Sequence, residues 1–440
     1  MVKFNIIIIE YIKKLYSLYK HYINYIYFRR NIMVAESTEL INFANDLGYG
    51  AIKAELNNEK VLMPSVIARL SAQNTPKPRI FKDDDATKNY LKHFLDNLDV
   101  TVSSSVVSEQ GRFLIGQAAV NSHLPLQSFD VNDFAGKSED DLAVILTLSL
   151  IAGKAVKDAY EQGNDLTDTL KVNVNMATAL PIAEGKGNQT LDKYREKYTN
   201  STHTVTFHNF KDPITVSIKF KNVYVALEGE TAQLTIRNAS NQLATMLFND
   251  LKKHYPELAD SVTKDDITQA QNVLGIDIGE GTTDLVTMLN GKVVSAASSS
   301  MPKGYGNVLQ SAVEVLQNQQ MNFDNRAQLK DYLNQKVSLF AKKHQEKVRE
   351  VVYQQLEPFA DQIIDAVSQT IRNAGSAVDL IFVYGGGAIP MESQSQLRVK
   401  IQKKLRRFNG GDDVPVIWLN PKYAQQLNEM GLKLILEAIK

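Results

Sequence analysis

Three short stretches of this chain carry side chains and glycines in patterns suited to holding phosphate. The first is Asp46-Leu47-Gly48-Tyr49-Gly50-Ala51-Ile52-Lys53. Glycines let a backbone turn so tightly that successive N–H groups point at one anion. An Asp at a strand end can hold a hydrated magnesium ion, and a Lys a few residues on can neutralise a phosphate. Alone, the same pattern also describes an ordinary hairpin. The second stretch, Asp277-Ile278-Gly279-Glu280-Gly281-Thr282-Thr283-Asp284, follows the apolar run Val273–Ile276. It sets a carboxylate at a strand end, where burial demands a partner. Two glycines and two hydroxyls after it make a compact anion cradle. The third, Val383-Tyr384-Gly385-Gly386-Gly387-Ala388, ends an apolar strand in glycines. Such an end lets backbone lie against a flat ligand such as an adenine ring, or simply turns a strand into a helix.

The elements that must carry these stretches can be read from periodicity. Leu40–Ala44 and Ile52–Leu56 read as strands about the first turn, and Asn57-Asn58 as the next turn. Val61 to Leu70 is apolar with a break at Pro64-Ser65, and residues 72–90 read as a loop rich in Pro, Lys and Asp. Val100–Val107 and Arg112–Ile115 suggest a hairpin. Asp140 to Tyr160 has helical spacing, with Ser138 and Asp141 suited to its start. Val172–Leu180, Thr204–Phe207, Ile214–Phe220 and Val223–Leu227 read as strands, and 230–255 as helical. Val273–Ile278, Val286–Asn290 and Val293–Ala297 then repeat the cycle of strand, glycine turn and hairpin. Helices dominate from Val308 to Ala374, Leu380–Tyr384 runs into the three glycines, Val416–Leu419 is a last strand, and 422–440 a closing helix. An Asp-x-Gly turn opening a hairpin occurs twice, so an α/β chain of two related lobes is expected.

These motifs in this order, each after an apolar strand, resemble the first phosphate loop, second phosphate loop and adenosine loop of the actin, sugar-kinase and heat-shock chaperone superfamily of ATPases. The resemblance spans Leu40 to Lys440. Within that superfamily the chain looks most like the bacterial actin-like proteins that segregate plasmids, the ParM-like group. Met63-Pro64-Ser65-Val66, Phe113-Leu114-Ile115-Gly116-Gln117-Ala118, Ala179-Leu180-Pro181, Tyr423-Ala424 and Glu429-Met430-Gly431 carry that closer match. The resemblance implies an actin-like (ribonuclease H-like) two-lobed α/β fold with ATP in the interlobe cleft. Domain I would span 33–271 and domain II 272–420, with 421–440 a helix packing back on domain I.

Carried over residue by residue, the resemblance implies that Asp46 and Asp277 organise magnesium and the attacking water. Gly48, Gly50, Lys53, Gly279, Gly281 and Thr282 would contact phosphates, and Gly385 and Gly386 would face the adenosine. Tyr49, Glu280, Thr283 and Gly387 complete the implied nucleotide-binding set. Glu228 resembles the acid that positions water, and Glu230 competes for that role. Three positions depart from the pattern: Tyr49 stands for a small hydroxyl residue, Glu280 for a frequent Gly, and Leu227 for a frequent Pro. The implied function is a cytoplasmic ATPase whose hydrolysis is coupled to polymerisation into a homopolymer filament. It would move plasmid DNA through a DNA-binding adaptor. A metabolic kinase of the same superfamily and a membrane-associated cell-shape or division actin are the alternatives.

Composition bounds these readings. At 440 residues, with 44% hydrophobic and 22% charged residues, the chain has the make-up of a globular protein of two or three domains. Its 49 basic and 49 acidic residues cancel, so no overall basic surplus exists to neutralise a nucleic-acid backbone. This fits DNA being reached indirectly, and it is permissive for self-association. With no cysteine, thiolate metal sites, disulfides and thiol nucleophiles are excluded. Residues 1–32 differ from the rest, being crowded with Ile, Tyr, Lys and Asn. They never reach the roughly 20 apolar residues of a membrane span. They read either as a start-site artefact upstream of Met33 or as a basic amphipathic helix on a membrane.

Overall fold

Each Asp-Gly turn opens an antiparallel hairpin, and each hairpin belongs to its own sheet. The computed structural model describes residues 39–439 apart from 110, 132, 134, 186–188, 376 and 409. The expected extension over 1–32 and the start at Met33 lie outside the described residues. Strands β1 (Glu39–Leu47), β2 (Ala51–Leu56), β3 (Glu59–Pro64), β4 (Val66–Arg69), β5 (Asp99–Ser103), β6 (Arg112–Ile115), β7 (Gln127–Ser128), β8 (Leu170–Leu180), β9 (Thr202–Phe207) and β10 (Ile214–Leu227) form a ten-stranded sheet. Its order is β3-β2-β1-β8-β10-β9-β5-β6-β4-β7, with β1, β8 and β10 parallel at the middle. Strands β11 (Val273–Ile278), β12 (Thr283–Leu289), β13 (Lys292–Val293), β14 (Ser299–Met301), β15 (Leu380–Tyr384) and β16 (Val416–Trp418) form the second sheet, ordered β13-β12-β11-β15-β16, with β14 paired to β12. Here β11, β15 and β16 run parallel.

The central strands are covered on both faces. Every residue of β11 and β15 is buried, which is why they read as near-continuous apolar runs rather than alternating ones. In the first lobe, the helix Asp141–Glu161 is buried at every position from Leu142 to Lys157. It shares one core with Ile41, Phe43, Val174 and Phe207. Its N-cap is Asp140, whose side chain accepts from the Leu142 N–H. Ser138 lies upstream of the cap, and Asp141 instead accepts from the Ser108 and Glu109 N–H groups at 2.7 and 2.9 Å.

Several segments differ from their sequence reading. Residues 72–90 are not all loop, because Asp84–Lys92 is a helix capped by Asp83, which accepts from the Ala86 N–H at 2.8 Å. The acidic first turn that suggested a loop is favourable at a helix N-terminus. Ile214–Leu227 is one strand with an irregularity between Phe220 and Asn222, where two strands were expected. The run 230–255 divides into the helices Glu230–Arg237 and Asn241–His254, the second capped by Ser240. Val293–Ala297 is a strand only at its start and then a short 3-10 turn, Ser295–Ala297.

Core membership also moves the division between lobes. Ala232, Ile236, Leu243, Leu247 and Ile267 pack with Val273, Phe382 and Ile417 of the second sheet. Residues from Ala232 to Ile267 therefore share the second core, although domain I was expected to run to 271. The closing helix, Leu427–Ile439, returns to the first sheet. Its Leu432 and Leu436 pack on Ala44, Ala177, Ala179 and Ala226, small residues that let helix and sheet approach closely. The same helix crosses the helix Glu230–Arg237 at Gly431, where a Cβ would stand 2.0 Å from the Thr231 carbonyl oxygen. Backbone cannot yield there as a flexible side chain would. Gly431→Ala is expected to lower stability by about 1–3 kcal/mol through overpacking, despite alanine's better helix propensity. Urea unfolding followed by circular dichroism measures it.

Candidate functional site

The carboxyl ends of the central parallel strands of both sheets face one cavity of about 600 Å³, the place where open α/β sheets bind ligands. Asp46 is the penultimate residue of β1, and Asp277 that of β11. Glu228 follows the last residue of β10 and donates its N–H to the Leu180 carbonyl at 2.8 Å. All three line the cavity, with Gly48, Tyr49, Gly50 and Lys53 from the first turn and Gly279, Glu280, Gly281 and Thr282 from the second.

Local hydrogen bonding explains both turns. The Gly48 N–H donates to the Ala51 carbonyl at 3.2 Å, and a Cβ on Gly48 would sit 2.7 Å from that oxygen. Ser65 pins the turn from outside: its hydroxyl donates to the Gly48 carbonyl at 2.7 Å and its N–H to the Gly50 carbonyl at 3.1 Å. The Pro64-Ser65 break in the sequence is thus the clamp on the first loop. In the second turn the Gly279 N–H donates to the Thr282 carbonyl at 2.9 Å, and the Thr282 hydroxyl to Asp284 Oδ2 at 2.8 Å. The turns also meet across the cleft. A Cβ on Gly50 would lie 2.2 Å from Glu280 Oε2, and one on Gly281 would lie 2.8 Å from Tyr49 Cγ. Lys330 donates to Glu280 at 2.7 Å, which occupies that carboxylate.

Not every expected residue reaches the cavity. Gly386 and Gly387 line it, but Gly385 does not. With φ +94°, Gly385 instead turns the chain against Asp277, whose Oδ1 would stand 2.4 Å from a Cβ there. Thr283 is turned away and donates to the Lys303 carbonyl at 2.9 Å. Glu230 lies outside the lining and accepts from the Leu227 N–H at 3.5 Å, so of the two acids only Glu228 faces the cavity.

Other lining residues were not foreseen. Lys137 is buried in the cleft and donates to Glu228 Oε1 at 2.7 Å. Its partner is 91 positions away in sequence, a distance that no local pattern reports. Asn428, on the closing helix, donates to Asp277 Oδ2 at 2.8 Å and accepts from the Thr231 hydroxyl at 2.9 Å. A lone Asn in a helix carries no local signal either. Tyr305, Leu309, Leu333, Val352, Tyr353 and Ile389 give the second-lobe side an apolar wall suited to a flat ring.

The electrostatics follow from burial. Burial pushes Asp277 up to about 7, with Lys53 pulling it down and Asp284 pushing it further up. Burial likewise pushes Glu228 up to about 8 against the pull of Lys137. Burial works against the charge of Lys53, but Asp46, Asp277 and Glu228 outweigh it and raise that group's pKa. Lys53 Nζ lies 3.6 Å from Asp46 Oδ2, its register partner across the hairpin. The site is therefore a set of buried carboxylates short of positive charge. Among the described residues no group of three or more His, Asp or Glu forms a protein-only metal cage. Magnesium typically uses one or two carboxylates, waters and phosphate oxygens, which this donor set fits.

Residues 44–230 match the family described as actin like proteins N terminal domain, and residues 275–396 the family described as archaeal actin homologue MreB-like, C-terminal. No curated protein matches the chain. Among solved structures, actin-like protein Alp7A superposes with a TM-score of 0.62 at 16% identity, covering 91% of this chain and 97% of that one. Ta0583, an archaeal actin homolog in complex with ADP, gives 0.56 at 15%, covering 90% and 99%. Bacillus thuringiensis ParM with ATP gives 0.54 at 14%, covering 92% and 100%. The two-lobed actin-like fold expected from the motifs is the fold observed.

The raised carboxyls give a pH dependence with a definite sign. Asp277 and Glu228 ionise near 3.8 and 4.5 ordinarily, and near 7 and 8 here. For Asp277 the protonated form is favoured in the folded state, so its contribution is complete at low pH and lost as pH rises through the folded value. Relative to Asp277→Asn, the melting temperature of the nucleotide-free wild type should fall by roughly 5 °C between about pH 4 and pH 7.5. Scanning calorimetry of the two proteins checks this.

Proposed function

Since this chain is an actin-like protein, we propose that it binds ATP with magnesium between its lobes, hydrolyses it, and assembles head to tail into a filament that segregates plasmid DNA through a DNA-binding adaptor. The observation that carries this reading is the meeting of two glycine turns, one from each lobe, around Asp46, Asp277, Glu228 and Lys53 in one cavity. Relatives of the same fold whose structures contain ATP or ADP support it.

The residues divide the work as phosphoryl transfer requires, by positioning and charge neutralisation rather than covalent help. Backbone N–H groups of the two turns and the Lys53 ammonium neutralise phosphate oxygens. Asp46 and Asp277 would hold magnesium, which supplies further charge neutralisation at the phosphates when bound. Asn428 fixes one oxygen of Asp277, so that carboxylate is already oriented. Glu228 orients the attacking water and accepts its proton. The apolar wall from Tyr305 to Ile389 takes the adenine face.

Self-assembly would use a heterologous contact that does not close, which turns one chain into a polymer. Leu339 and Phe340 open the helix Leu339–Gln354 with 88% and 100% of their surface exposed, an apolar point available to a neighbour. The balance of acidic and basic residues imposes no overall self-repulsion.

Sedimentation with ATP and magnesium, with phosphate release measured alongside, tests the reading. Wild type should pellet and release phosphate, while a protein that stays monomeric with every nucleotide refutes assembly. Glu228→Gln should pellet with ATP but release phosphate about a hundredfold more slowly. Phe340→Asp should bind nucleotide normally and pellet only at several-fold higher concentration.

A further inference from the structure

Lys137 is more enclosed than the other lysine beside the carboxylates, with 1% of its side chain exposed against 31% for Lys53. An ammonium has three N–H donors and no acceptor. One donor goes to the Leu47 carbonyl at 2.8 Å and one to Glu228 Oε1 at 2.7 Å. The Nζ also lies 4.6 Å from the centre of the Tyr49 ring, within reach of its π face. Every donor direction is thus engaged by protein. Of these two lysines Lys53, more open and 3.6 Å from its nearest carboxylate oxygen, is the one left for phosphate.

The three partners of Lys137 belong to three parts of the cleft. Leu47 ends β1 beside Asp46, Tyr49 lies inside the first glycine turn, and Glu228 follows β10. The lysine's own backbone is fixed as well. Glu184 accepts from the Lys137 N–H at 3.0 Å and from the Ser138 N–H at 2.9 Å. From the second lobe, Gly281 packs against Tyr49, where a Cβ would stand 2.8 Å from Cγ. Tyr49 thus touches both that turn and the ammonium.

We infer that Lys137 is a positioning residue that holds and aims the Glu228 carboxylate, and that Tyr49 serves in the first loop as its cover rather than as a phosphate ligand. The inference rests on the ATPase reading above and assigns how that acid is held. One carboxylate oxygen, Oε1, is fixed by the ammonium, and the rigid carboxylate plane then fixes the direction of the other, which receives the water. The water oxygen bonds to the γ-phosphorus as the bridging oxygen leaves with ADP and its electron pair. The water's proton passes to Glu228 and then to phosphate. A buried carboxylate stripped of its cation costs far more than a neutral pair in the same place. Lys137 and Glu228 therefore act as one unit.

A double-mutant cycle on the full chain tests this, comparing wild type, K137M, E228Q and K137M/E228Q for ATP turnover, affinity for a fluorescent ATP analogue, and melting temperature. K137M and E228Q should each lower kcat about a hundredfold, and the double variant should be no slower than either single one. Nucleotide Kd should stay within about threefold of wild type throughout, and K137R should recover part of the lost kcat. K137M should melt below the double variant, in which no buried carboxylate is left alone. Wild-type turnover in K137M, a weakened Kd with unchanged kcat, or a double variant slowed by the product of the single effects overturns the inference. Absence of turnover in wild type sinks the ATPase reading instead. The melting comparison still decides between the outcomes then: a double variant no more stable than K137M overturns the pairing. If K137M does not fold, K137R, E228Q and K137R/E228Q carry the same cycle.

Discussion

Four carboxylates, Asp46, Glu228, Asp277 and Asp284, are gathered in one enclosed cleft, with Lys53 and Lys137 as the ammonium groups beside them. In a low-dielectric enclosure like charges repel strongly and each loses hydration. The surrounding structure answers this cost with fixed donors. Lys137 goes to Glu228, Asn428 to Asp277, the Thr282 hydroxyl to Asp284 and Lys53 to Asp46. A cleft arranged this way favours a ligand that brings its own cations, and a metal-bound nucleotide is such a ligand.

Topology determines why these groups meet. In both sheets the parallel strands end on the same side, so the residues at or just beyond β1, β10, β11 and β15 converge without any one loop being long. Each lobe contributes its hairpin turn, and the turns touch through Gly50 against Glu280 and Gly281 against Tyr49. Glycine at these places is a matter of clearance between lobes as much as of turning. A side chain at Gly281 would press on Cβ and Cγ of Tyr49, and one at Gly50 would displace the Glu280 carboxylate.

Much of this was legible in the sequence, and the failures share a cause. The glycine turns, the central strands and the second-sheet carboxylate announce themselves locally, through apolar runs and turn residues. Asp46, Asp277 and Lys53 were singled out from those local patterns and Glu228 from the family resemblance, and all four line the cavity. What escaped depended on contacts distant in sequence. Lys137 is ninety-one positions from Glu228, and Asn428 is far from Asp277. Neither spacing has a period to betray it. Thr283 and Gly385 stand beside true lining residues, but strand alternation and a left-handed turn direct them elsewhere. The division between lobes was misread because helices Glu230–Arg237 and Asn241–His254 follow the first sheet in sequence yet pack on the second. Covalent order does not reveal which face of which sheet a helix covers.

The closing helix Leu427–Ile439 is made after everything it packs on. While the chain is being synthesised, the alanine-lined face at Ala44, Ala177, Ala179 and Ala226 has no cover, and Asp277 lacks its donor Asn428. A growing chain can collapse its first core around the helix Asp141–Glu161, but it cannot finish the cleft. Completion of the cleft therefore waits until the last turns of the chain are made and fold back. A chain cut short before Leu427 would carry an uncovered sheet face and an Asp277 without its amide donor.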